Sequence, residues 1–140
     1  MPTINHQTLV LWIARKMTTD GFRVVAMDGV CQQGGCFNNA PRPIEMYGIR
    51  PDVLGMNADG LYAFGEAKTE RDINCAHTRH QLSILSRCQI NDSSCRLYIG
   101  IKRSSALALD KVLSDLGLIG DRNIVRLHIP DILIGSHEAV

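Results

Sequence analysis

Asp52, Glu66 and Lys68 are the residues whose types and spacing point to chemistry. They stand in two runs, Arg50 to Gly55 and Leu61 to Lys68, separated by Asn57-Ala58-Asp59-Gly60. That separator is a hairpin signal, because Asp-Gly accepts positive φ. Alternate residues of a strand share a face, so Glu66 and Lys68 point the same way and Ala67 the other. With a three-residue turn at 58–60, Asn57 faces Leu61 and Asp52 falls directly opposite Glu66. A register shifted by one makes the two carboxylates diagonal neighbours. Opposed side chains have Cβ atoms about 5 Å apart, and like charges there are destabilising. Such a pair, interrupting otherwise apolar strands (IRPDVLG and LYAFGEAK), is a poor structural choice and a good site for a hard divalent cation. Mg²⁺ or Mn²⁺ bound there relieves the repulsion and lowers the pKa of a bound water. Lys68 can then position or help deprotonate that water and offset charge on a phosphate under attack. The backbone carbonyl of Ala67 is a candidate further ligand. A merely solvated hairpin predicts instead that Asp52 and Glu66 lie apart or face opposite sides.

The flanking pattern supplies elements to hold such a hairpin. From Thr3 to Met17 apolar residues recur at Val10, Ile13, Ala14 and Met17, a helical stripe with Thr3 or Asn5 as cap and Gly21 as terminator. Phe22 to Met27 reads as a strand. The long irregular stretch from Asp28 to Gly48 has the character of a functional loop. Ile73 to Cys88 reads as a second helix with His77, Gln81, Ile84, Leu85 and Cys88 on one stripe. Leu97 to Lys102 reads as a strand buried on both faces. Ser105 to Leu116 is a third helix, capped by Ser104 and closed by Gly117, and Ile124 to Ile129 is a last strand. The order α-β-β-β-α-β-α-β over residues 1–140 predicts one α/β domain, a central mixed sheet flanked by helices.

Arg50-Pro51-Asp52, thirteen intervening residues, then Glu66-Ala67-Lys68-Thr69 resembles the PD-(D/E)xK motif of the restriction-endonuclease-like nuclease superfamily. The order of elements is also similar to that superfamily's core of helix, three strands, helix and strand, with a helix and strand appended, and the likeness covers most of the chain. The resemblance implies Mg²⁺-dependent hydrolysis of phosphodiester bonds, with Asp52 and Glu66 as metal ligands and Lys68 assisting the attacking water. Many relatives carry a glutamine on the helix after the Glu-x-Lys strand, a place that Gln81 fills. Many also carry a glutamate on the first helix as an extra metal ligand. The first helix here has no acid, so His6 is the candidate substitute and hydrolysis with one metal is the expected form.

Composition bounds these expectations. At 45% hydrophobic and 21% charged, the chain is an ordinary globular domain with no run long enough to span a bilayer, and the cytoplasm is the expected location. Five cysteines (Cys31, Cys36, Cys75, Cys88, Cys95) are odd in number and irregular in spacing. They read as reduced, inert thiols rather than a disulfide framework, and Cys31 with Cys36 lacks a second pair for structural zinc. At a net charge of +1 basic residues nearly balance acidic ones, so any nucleic-acid surface must be local. Arg42, Arg50, Arg71, Arg79, Lys102 and Arg103 are the candidates for phosphate. No separate sequence-reading module is present. A homodimer or a partner protein is expected to complete specificity, since cutting both strands needs two sites. The rival expectation is a non-catalytic nucleic-acid-binding or assembly subunit that retains the fold.

Overall fold

The computed structural model describes residues 4–28 and 40–134. Helix α1 (Ile4–Thr19) leads into β1 (Arg23–Met27), then β2 (Val53–Met56) and β3 (Tyr62–Ala67). Helix α2 (Ala76–Ser86), a small hairpin of β4 (Gln89–Ile90) and β5 (Ser93–Ser94), and β6 (Arg96–Lys102) follow. Helix α3 (Ala106–Asp115), β7 (Ile124–Ile129) and the single turn α4 (Asp131–Ile134) complete the chain. The predicted order is present, with the small hairpin and α4 added to it. Five strands form one sheet in the order β1-β2-β3-β6-β7. The first three are antiparallel neighbours, and β6 and β7 run parallel to β3. The fold is α/β, a mixed five-stranded sheet flanked by helices.

Burial separates two layers. Leu9, Val10, Ile13, Ala14 and Met17 of α1 pack with Val53, Ala63 and Tyr98 on one face of the sheet. Leu82 and Leu85 of α2 and Leu109, Val112 and Leu113 of α3 pack with Leu54, Phe64, Leu97, Ile99 and Ile101 on the other. The alternation along β6, Tyr98 to one side and Leu97 and Ile99 to the other, is what a central strand with both faces covered requires.

Two helix ends follow the sequence signals closely. Gly21 (φ +96) and Gly117 (φ +74) each close a helix with the paired bonds of a Schellman motif. Phe22 N–H reaches Met17 O at 2.9 Å, and Leu118 N–H reaches Leu113 O at 2.8 Å. Other boundaries differ from expectation. Thr3 lies outside the described residues, and Asn5 sits inside α1 rather than capping it. Helix α2 starts at Ala76, not Ile73, because Thr69–Asn74 is spent on a turn and Cys75 takes the N-cap, its sulfur accepting from Thr78 N–H at 3.4 Å. The buried stripe of α2 is Thr78, Gln81, Leu82 and Leu85, and His77 is exposed. Ser104 does not cap α3: a 3₁₀ turn (Arg103–Ser105) enters that helix, and Ser104 donates its N–H to Asp131 Oδ1 at 3.0 Å.

The seat of α1 on the sheet depends on small residues beneath it. A Cβ built on Gly65 would lie 2.6 Å from Ile13 Cγ2 and 3.0 Å from Val53 Cβ. One on Gly100 would lie 2.7 Å from Ile13 Cδ1. These glycines let the helix approach the two central strands, and Gly65 immediately precedes Glu66. Gly65→Ala is expected to overpack this contact and cost about 1–3 kcal/mol. The effect is measurable as a lower urea midpoint at unchanged m-value.

Candidate active site

The hairpin folds in the register expected for opposed carboxylates. Val53 pairs with Gly65, Leu54 with Phe64 and Met56 with Tyr62. Asn57 N–H reaches Leu61 O at 2.9 Å, and Gly60 takes φ +81 at the end of the three-residue turn. Asn57 Oδ1 accepts from the N–H groups of Asp59 and Leu61, at 3.0 and 2.9 Å, which holds the turn closed. At the far end the ladder becomes irregular, with Asp52 N–H going to Gly65 O at 2.9 Å. This offset lets the Asp52 carboxylate curl over the strand end, where Oδ2 accepts from Ala67 N–H at 2.8 Å.

Glu66 and Lys68 share the α2 face of β3, as strand alternation requires. Both are buried, Glu66 to 2% exposure and Lys68 to 7%. Lys68 Nζ lies 3.7 Å from Glu66 Oε2 and donates to Gln81 Oε1. Gln81, itself buried, thus fixes where the ammonium sits. Glu66 Oε1 is buried without a hydrogen-bond partner in the protein. Burial pushes the Glu66 carboxyl well above the usual carboxylate range, the charge of Asp52 adds to that rise, and Lys68 opposes both. An acceptor oxygen stripped of water, aimed at no donor and beside a second carboxylate, is an expensive arrangement for the polypeptide alone.

His6 comes to this cluster from the first turns of α1. Its Nε2 lies 3.4 Å from Asp52 Oδ2. Burial works against a charged imidazole, but the hydrogen bond to Asp52 and the charge of Asp52 outweigh it and hold the His6 pKa above its ordinary value. Lys68 acts in the opposite direction, and Asp28 adds to the rise. Asp28 is the nearby acid that sequence reasoning did not single out. It follows the last residue of β1, donates its N–H to Asp52 O at 2.9 Å, and pairs with Arg42 at 3.4 Å. The only local signal for it was an acid at the end of the apolar run FRVVAM.

Asp52, Glu66, Ala67, Lys68, Gln81 and His6 are therefore brought together, and Arg42 reaches their edge through Asp28. Arg50, Arg71 and Arg103 are exposed, and Lys102 is half-buried at the end of β6. Because β6 runs parallel to β3, with Ala67 beside Gly100, Lys102 and Arg103 emerge at the same end of the sheet as Lys68. Arg79 stands apart. Its guanidinium is held by Asp115 at 3.1 Å and Asn74 at 2.8 Å, so it ties α2 to α3 rather than reaching outward. Cys31 and Cys36 lie outside the described residues, and His77 and His80 are exposed.

Among the described residues no group of three or more His, Cys, Asp and Glu side chains is arranged to hold a metal ion. The pair Asp52 and Glu66 nonetheless fits a hard cation of low protein coordination. Such an ion takes one or two carboxylates and keeps several waters for substrate, and the unpartnered Glu66 Oε1 is the oxygen it would satisfy. Zinc in a closed site would need more ligands, and softer ones, than are gathered here.

No family model and no curated protein matches this chain. Among solved structures it is similar to the crystal structure of a repair endonuclease from Pyrococcus abyssi, at 10% sequence identity and a TM-score of 0.44. The match covers 93% of this chain and 48% of the other, so the chain spans about half that protein's length. Among the described residues no helix is long and apolar enough to cross a membrane.

Proposed function

We propose that this domain is a metal-dependent DNA endonuclease of the PD-(D/E)xK kind. The observation that carries the reading is the desolvated carboxylate Glu66, unpartnered at Oε1, set beside Asp52 and facing the buried ammonium of Lys68. Asp52, Glu66 and the carbonyl of Ala67 would hold Mg²⁺ or Mn²⁺. When bound, such an ion neutralises the clustered negative charge and polarises water and phosphate oxygens.

The chain's own groups account for the remaining requirements. Ala67 N–H and His6 hold Asp52 in one orientation, so the carboxylate enters the site preorganised. Gln81 and Glu66 hold Lys68 between them, which fixes the ammonium where it can donate to a water or a phosphate oxygen as negative charge builds. Arg42, Arg50, Arg71, Lys102 and Arg103 would position the DNA backbone without reading sequence. Hydrolysis of both strands requires a second copy or repeated encounters, and a homodimer or a specificity partner in the cytoplasm fits the chain's near-neutral charge.

Labelled duplex, single-stranded and four-way-junction oligonucleotides incubated with Mg²⁺ or Mn²⁺ test this reading. Cleavage of at least one of them, abolished by EDTA, is the expected result. Inertness on all three with either metal replaces the enzyme by the binding or assembly subunit.

A further inference from the structure

At the end of the sheet away from the carboxylates, the β4–β5 hairpin brings two cysteines face to face. Gln89 pairs with Ser94 and Ile90 with Ser93, across a turn whose residues Asn91 and Asp92 both take positive φ (54° and 65°). This pattern is that of a tight type I′ turn, which fixes the register of the flanking residues. Just beyond this ladder Cys95 N–H still reaches Cys88 O at 3.1 Å, while Cys88 N–H turns back to Leu85 O at 3.3 Å. Residues joined by one such bond across a hairpin have Cα atoms roughly 5–6 Å apart, inside the range that a disulfide spans. Both thiols are free and buried.

The two are not equally accessible. Cys88 lines an open pocket of about 530 Å³ together with Tyr47, Ile84, Arg87, Asn91 and Asp92. Cys95 does not line that pocket and is 1% exposed. The pocket is within the usual size of small-molecule sites. It offers the exposed cation Arg87 for an anionic ligand, with Asp92 as the opposing charge on its rim.

We propose that Cys88 and Cys95 form a reversible dithiol–disulfide site, oxidised through this pocket by a small acidic disulfide of the glutathione type. Cys88 thiolate attacks one sulfur of the small disulfide, whose S–S bond breaks as the protein–glutathione mixed disulfide forms and one glutathione thiol leaves. Cys95 thiolate then attacks the Cys88 sulfur and expels the second glutathione. The two protons from Cys88 and Cys95 end on the two glutathione thiols, and the electron pair with them. Burial pushes both thiols above their ordinary values, Cys95 to about 11, so exchange is slow at neutral pH and accelerates with alkalinity. The product ties the residue just past the C-cap of α2, the helix that carries Gln81, to the residue just before β6.

The sequence supplies a clean readout. Arg87 and Arg96 bracket a tryptic peptide, Cys88–Arg96, that contains these two cysteines and no other. After native incubation of the full chain with oxidised glutathione at pH 8.5, that peptide is expected to lose the mass of two hydrogens and to resist alkylation. The melting temperature should rise by roughly 5–10 °C for a loop this short. Cys95→Ser is expected to trap the glutathione adduct on Cys88, whereas Cys88→Ser should leave Cys95 unmodified. A peptide that stays fully alkylatable in the wild-type chain overturns the proposal, as does a disulfide that forms only on refolding or an adduct found first on Cys95. None of these readouts uses DNA cleavage, so they stand or fall separately from the nuclease reading.

Discussion

Glu66→Gln is expected to make the metal-free protein more stable and to leave it without activity. Glutamine keeps the shape of the side chain and removes a charge that is 2% exposed and faces Asp52. Because burial and Asp52 raise the Glu66 pKa, the folded protein holds that proton more tightly than the unfolded chain does. The stability it contributes is fully present below the unfolded-chain value and is lost as pH rises through the folded value. Wild-type protein in EDTA should therefore lose stability from the ordinary carboxylate range upward, and Glu66→Gln should show a flatter profile over the same window. At pH 8 the variant is expected to be more stable by on the order of 1–3 kcal/mol, roughly 3–10 °C in melting temperature. At pH 4.5 the two should nearly coincide. Cleavage should fall by more than about a hundredfold, since the carboxylate charge that would hold the cation is gone. Calorimetric scans across pH, run beside a nicking assay, measure both effects. A Glu66→Gln protein less stable than wild type at pH 8 contradicts the assigned desolvation.

Lys68→Met should reduce the cleavage rate by roughly 10²–10⁴-fold while the protein stays folded. The substitution retains an unbranched stem in a site that is 7% exposed, and removes the ammonium that Gln81 and Glu66 position. Stability should fall, because Glu66 loses the cation that opposes its burial and the charge of Asp52, and the loss should be smaller at low pH, where Glu66 is protonated. The loss should fall on kcat more than on KM if Lys68 serves the reacting phosphate rather than DNA docking. An equal loss from KM alone would move Lys68 to the role of a phosphate-docking residue.

What was legible in the sequence was what local rules control. Asp-Gly at a hairpin, Gly21 and Gly117 past helix ends, and the alternation along β6 each act within a few residues, and each element appears where those signals put it. The carboxylate pairing followed from the turn length alone, because once Asn57 faces Leu61 the opposition of Asp52 and Glu66 is a matter of counting. The site's supporting contacts were less legible because they are tertiary. That His6 would meet Asp52 depends on how α1 lies across the glycines of β3 and β6, which no pattern within α1 reveals. Of the stripe read on α2, Gln81, Leu85 and Cys88 are buried and His77 is not, because the buried face turns toward Thr78 and Leu82, which tertiary packing selects and local periodicity does not. Arg79 looked like any other basic residue until Asp115 came within reach from α3. The β4–β5 hairpin leaves little signal in the sequence, since its strands are two residues long and its turn, Asn91-Asp92, lacks glycine. Asp28 had no partner in sequence and gained one only when β1 ended beside Asp52.

Plasmid nicking by wild type and Asp52→Ala, matched for folding and assayed with Mn²⁺ and with EDTA, bears most directly on the central assignment. Asp52 touches Ala67 N–H and His6 as well as facing Glu66, so its removal disables the cluster without disturbing either core layer. Mn²⁺-dependent nicking by wild type that EDTA and Asp52→Ala each abolish is the predicted result. Nicking that persists in Asp52→Ala at the wild-type rate would place the chemistry elsewhere and contradict the assignment of this carboxylate pair.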